Sequence, residues 1–134
     1  MTGSTIIGIA LILLYHVYLI SEVQNGKNLF NKKHLRISSF KTRKSNEDIY
    51  QLLFTMCPNT KYSIEFLDKE KGHILLSESI TLLHGGFFYP ITISPAQDNT
   101  TEVTIGVKSK ILWSGFLVFK SHRNLYNLIK LGLE

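Results

Sequence analysis

With one cysteine in 134 residues, Cys57, the chain cannot form an intrachain disulfide, so no disulfide framework holds it together. Cys57 follows an apolar helical pattern and precedes Pro58, the setting of a small apolar residue at a helix end and not of a nucleophile. Recognisable catalytic patterns are missing too. His16, His34, His73, His84 and His122 are scattered, with no pair at four-residue spacing on a helix and no Cys or carboxylate at ligand distance, so no metal is expected. No Gly-x-Ser-x-Gly, phosphate loop or dinucleotide fingerprint occurs, and Gly85-Gly86 stands alone before a strand, where it makes a turn. Glu65 and Glu78 could meet across a hairpin, but alternation places them on a solvated face or at a strand end. The expectation is a chain with no cofactor and no enzymatic activity.

Charge is also missing in two places. Met1 to Ser21 contains no Asp, Glu, Lys or Arg. Thr5 to Ile20 reads TIIGIALILLYHVYLI, and some 20 residues at about 1.5 Å each match a hydrocarbon core of about 30 Å. The segment is expected to be a transmembrane helix over residues 1–21, with a buried core helix as the alternative. It does not read as a cleaved signal peptide, because no Lys or Arg precedes Ile6 and Ser-Glu-Val-Gln follows Ile20. Tyr15, Tyr18 and His16 fall where an interfacial belt is expected, and Ser4 and Gly8 have the spacing of a helix-packing face.

The second absence is of acid between Lys27 and Lys44, where Lys27, Lys32, Lys33, Arg36, Lys41, Arg43 and Lys44 have no acidic neighbour. These seven exceed the whole net charge of +5, so the basicity is local and not spread over a folded face. That placement directly after an apolar helix points to anionic lipid and away from nucleic acid. The same bias places the N-terminus outside and the domain on the cytoplasmic or equivalent side. There the sequon Asn99-Thr100-Thr101 would be silent.

What remains is one domain's worth of chain. Residues 22–33, with Gly26 among Asn and Lys, read as a basic juxtamembrane linker, and residues 34–134 as an α+β domain. His34 to Phe40 alternates, with Leu35, Ile37 and Ser39 on one face. Ser45 followed by Asn46-Glu47-Asp48 resembles a capping box, and Ile49, Leu52, Leu53 and Met56 give an amphipathic helix that ends before Pro58. Tyr62, Ile64 and Phe66, the turn Asp68 to Gly72, and Ile74 with Leu76 predict a hairpin. Phe87 to Ser94 and Thr101 to Lys108 predict two more strands, with Pro90 suggesting an edge or a bulge. Ile111 to Phe119 reads as strand extension or packed loop, and Ser121 as the cap of a last helix with Leu125, Leu128, Ile129 and Gly132 on one face.

The expected order is an N-terminal transmembrane helix followed by a β-α-β-β-β-β-α domain, its antiparallel sheet packed on helices. From Leu35 to Leu133 this order resembles the TBP-like or helix-grip class of membrane-anchored α+β domains of unknown function. The resemblance implies a closing helix packed across the sheet and no catalytic residues.

Three consecutive aromatics, Phe87, Phe88 and Tyr89, must put a ring on each face of their strand. Phe88, with Trp113 and Phe116 beside Ser114-Gly115, is therefore a candidate contact for a partner. The sequence points to an accessory subunit or assembly factor of a membrane protein complex. The alternative is a lipid or small apolar ligand carrier, with a cavity lined by Ile64, Phe66, Ile91, Ile93, Val103 and Ile105.

Overall fold

A computed structural model describes residues 2–24, 30, 36–79, 86–110 and 115–134, with backbone alone for residues 19–24, 115 and 116. The elements are α1 (Gly3–Gln24), β1 (Arg36–Thr42), α2 (Asn46–Met56), a 3-10 turn (Cys57–Asn59), β2 (Tyr62–Asp68), β3 (His73–Glu78), β4 (Phe87–Pro95), β5 (Thr101–Ser109) and α3 (Gly115–Gly132). The five strands form one antiparallel sheet in the order β1-β5-β4-β3-β2. This is the expected α+β domain. The meander β2 to β5 is built from local hairpins, and β1 closes it by pairing with the last strand.

α2 starts where local chemistry dictates. The Ser45 hydroxyl accepts from the Asp48 N–H and the Asp48 carboxylate accepts from the Ser45 N–H, both at 3.2 Å, a complete capping box. The helix buries Ile49, Tyr50 and Leu53 and gives way to the 3-10 turn at Cys57-Pro58. Together with Val118, Leu125 and Ile129 of α3 these cover one face of the sheet, made by Tyr62, Ile74, Leu76, Phe87, Tyr89, Ile91, Ile93, Val103, Ile105 and Val107. Four of the side chains proposed to line a ligand cavity, Ile91, Ile93, Val103 and Ile105, are filled into this core at 0–4% exposure.

Several local expectations are corrected by the pairing. In β1 the half-buried residues are Ser38, Phe40 and Thr42, not Ile37 and Ser39, while Leu35 lies outside the described residues; Ile37 is 53% exposed on the opposite face. The strand meets the core through its register with β5, Phe40 opposite Val103, and its own apolar alternation does not decide the matter. A bulge between Ile64 and Phe66 moves Phe66 to the face away from the helices, where it packs with Leu75 and Phe88. One extra residue reverses every side chain after it. Pro90 lies in the central strand β4, opposite Leu75 of β3, and paired residues on the β5 side stop at Phe88 and resume at Ile91. The missing N–H of proline is thus accommodated in the interior of the sheet and not at an edge. α3 begins at Gly115, so Ser121 and His122 are buried helical residues and not a cap, and Leu128 is 39% exposed. Residues 111–114 lie outside the described residues.

At the N-terminus, α1 is a helix of 22 residues, three longer at its end than the expected limit at Ser21. Among the described residues no helix is long and apolar enough to cross a membrane. The structure establishes α1 as an exposed apolar helix.

Candidate functional site

Three arrangements stand out from ordinary core packing: the surface of α1, the open face of the sheet, and a buried carboxylate between two tyrosines. On α1, Ile6, Ile7, Ile9, Leu11, Ile12, Leu13, Leu14, Val17 and Tyr18 are between 39% and 65% exposed. Helical spacing distributes these positions around the whole axis, so the helix has no polar side to turn toward water. His16 is taken up locally, its Nδ1 lying 2.8 Å from the Ile12 carbonyl.

The expected basic cluster is divided by the fold. Arg36 opens β1, and its guanidinium lies 5.8 Å from the centre of the exposed Phe119 ring on α3. Lys41 lies near the other end of the strand, about 17 Å along it at roughly 3.3 Å per residue, and Arg43 and Lys44 follow in the bend beyond it. Such a distance exceeds the Debye length of about 8 Å at physiological salt. Lys44 instead borders a groove of about 300 Å³ with Asp48, Gln51, Leu52, Thr55, Gly132 and Leu133. Lys27, Lys32 and Lys33 lie outside the described residues.

On the open face of the sheet, Phe88 is 1% exposed and joins Leu75 in a second small core against which Phe30 and Phe66 pack. The aromatic run divides as expected, with Phe87 and Tyr89 in the main core and Phe88 on the other side. The ring of Phe88, proposed as a partner contact, is covered by the chain itself: the Lys110 ammonium sits 4.9 Å from its centre. Lys110 is only 8% exposed, and burial pulls its pKa below the ordinary lysine range against the pull of Glu65 and Glu78. Glu65, placed here by the bulge, accepts from the Ser77 hydroxyl at 2.6 Å and from Ser63 at 3.4 Å. Trp113 lies outside the described residues, and of Phe116 only the backbone position on α3 is described.

Glu65 and Glu78 do not face each other. Glu78 points into the main core, 1% exposed, accepts from the Tyr89 hydroxyl at 2.5 Å and is paired with Lys61 at 2.5 Å. Tyr62 and Tyr89 meet edge to face at 5.7 Å beside it. Burial, followed by the Glu78 carboxylate, holds both phenols well above their ordinary range. The arrangement neutralises a buried charge within the fold.

His122 is the other titratable group of the core. It is 1% exposed, with Nε2 2.8 Å from the Ile105 carbonyl and Nδ1 without a hydrogen-bond partner. Burial lowers its pKa, the bond to Ile105 opposes this, and Arg36 adds to the lowering. Burial also lowers His73, opposed by Asp68 and assisted by Lys71. A depressed histidine contributes stability that is complete above the ordinary value of about 6.5 and lost as pH falls toward the folded-state value. Melting temperature should therefore fall between pH 7 and pH 5, and a His122→Gln variant should fall less over the same interval by differential scanning fluorimetry.

Among the described residues no group of His, Cys, Asp and Glu is arranged to hold a metal ion. The sequence matches no known protein family, and no curated protein is detectably similar to it. Sequence reasoning missed Phe30, whose contacts are all long-range. It also missed Phe119, 42% exposed on α3, because the first half of that helix reads locally as strand or loop.

Proposed function

We propose that this chain is a membrane-anchored, non-enzymatic accessory protein, a small subunit or assembly factor of a membrane protein complex. The observation that carries this reading is the helix α1, free of Asp, Glu, Lys and Arg up to Ser21 and with large apolar side chains exposed around its axis. In water such a surface far exceeds the few hundred Å² that monomers expose. Its full 22-residue backbone is about 33 Å long, matching a hydrocarbon core of about 30 Å. The positive residues that follow it, Lys27, Lys32, Lys33 and Arg36, favour anionic headgroups on the domain's side, with the N-terminus outside and the domain on the cytoplasmic or equivalent face. Confinement of the domain to two dimensions raises the effective concentration of a membrane partner, so a modest contact suffices. Trp113 and Phe116 remain the candidate partner contacts, with Phe119 an exposed aromatic on α3, and nucleic acid is not a ligand in this reading.

The test is fractionation of the full chain and of residues 25–134. The full chain should remain with membranes through alkaline carbonate, and the truncated chain should appear in the supernatant. A full-length protein released quantitatively by carbonate would overturn the anchor. A pull-down from mild detergent that recovers the protein alone would overturn the accessory role.

A further inference from the structure

We infer that Phe30 latches the segment between α1 and β1 onto the open face of the sheet and so turns that face, rather than the helix-covered one, toward the membrane. The inference rests on the proposed reading of α1 as an anchor. Phe30 stacks flat on His73, ring centres 4.2 Å apart and planes 5° from parallel, and lies 6.3 Å from Phe66. It packs against Leu75 and Phe88, which are 0% and 1% exposed although α2 and α3 lie on the other side of the sheet. These contacts are the physical reason for a latch: on the face away from α2 and α3, a ring carried on the connection to α1 joins Phe66 in covering two large apolar side chains.

Chain length then fixes the orientation. From Gln24 to Phe30 there are six residue steps, a reach of at most about 20 Å, whereas the twelve steps from Gln24 to Arg36 would allow about 40 Å. With Phe30 docked, the C-terminal end of α1 stays within that shorter reach of the open face, while α2 and α3 occupy the far side of the sheet. Ile37, 53% exposed, borders with Phe30 a cavity of about 70 Å³ on the same face. It is an uncovered apolar side chain on the side turned to the membrane.

The experiment places a spin label on each side of the full-length protein in nanodiscs containing nickel-chelating lipid. Ser39→Cys reports on the open face and Asn127→Cys on the outer surface of α3. Cys57 is buried with its thiol pushed up by burial and is left in place. The label at position 39 should relax several-fold faster than that at 127. Phe30→Ala should erase the difference and Phe30→Tyr should keep it. Equal relaxation in the parent, or a preference unchanged in Phe30→Ala, overturns the latch orientation.

A second readout needs no membrane. Phe30→Trp with Trp113→Phe should emit at shorter wavelength than the same protein carrying His73→Ala and Phe66→Ala. Identical emission overturns the latch itself. Failure of the protein to enter nanodiscs while the emission shift persists overturns the anchor and the orientation and leaves the docking of Phe30 standing.

Discussion

Gly72→Ala is expected to destabilise the domain by about 3–4 kcal/mol. Gly72 closes the β2–β3 turn at φ +66°, a conformation that costs a residue with a Cβ about 1–2 kcal/mol. A Cβ built there would lie 2.2 Å from the Ile93 carbonyl oxygen. The obstacle is backbone in the interior strand β4, so it cannot rotate away as a side chain would. The Ile93 N–H donates to the Gly72 carbonyl at 2.8 Å, and relief of the clash requires lifting the hairpin off β4 and breaking that bond. Overpacking of this kind adds about 1–3 kcal/mol. For a domain of about 100 residues the sum lowers the melting temperature by roughly 15–25 °C. A shift below about 5 °C in a thermal melt would show that the turn moves freely from β4.

The second large effect is expected at Glu78. Glu78→Ala removes the acceptor of the buried Tyr89 hydroxyl and the partner of Lys61, leaving an unsatisfied phenol in the core. The expected cost is about 2–4 kcal/mol. Lys61→Met should also be costly, by about 2–4 kcal/mol, because it leaves the Glu78 carboxylate, 1% exposed, without its counter-charge. Tyr89→Phe should not add to Glu78→Ala: the double variant should be more stable than the sum of the singles predicts by at least about 1 kcal/mol. Additive losses in urea denaturation would show that the hydroxyl and the carboxylate act independently. The same network limits the alkaline range. Tyr89 and Tyr62 are raised first by burial and then by Glu78, so their contribution is complete below the ordinary phenol value of about 10 and is lost as pH rises above it.

Of the fold, the locally encoded parts were legible. The α2 capping box involves residues three apart, the β2–β3 turn ends on a glycine at positive φ, and the strands β3 to β5 are short apolar runs between turn residues. Each signal and its consequence lie within a few residues. The parts that were misread depend on partners distant in sequence. Leu35, Ile37 and Ser39 alternate convincingly, yet pairing with β5 turns Phe40 inward. The alternation from Ile64 to Phe66 continues unbroken in sequence, while the bulge at Glu65 reverses it in space. Gly115 to Phe119 looks like strand or loop because β-branched and aromatic residues surround a glycine, yet packing of Val118, Ser121, His122 and Leu125 against the sheet makes it the first part of α3.

The candidate site divides in the same way. By itself the sequence determined that α1 is apolar and free of charged residues up to Ser21, that the positive residues follow it, that no disulfide forms, and that the domain is α+β with this order of elements. Composition and periodicity are sums over neighbouring residues and need no long-range contact. Only the tertiary structure decided that the basic stretch is divided between two ends of β1, that Phe88 is covered and not exposed, that Glu78 and Glu65 occupy opposite faces, and that Phe30 docks on His73. Each of these depends on strand register and on which face of the sheet the helices cover, and a one-residue shift in register reverses the outcome.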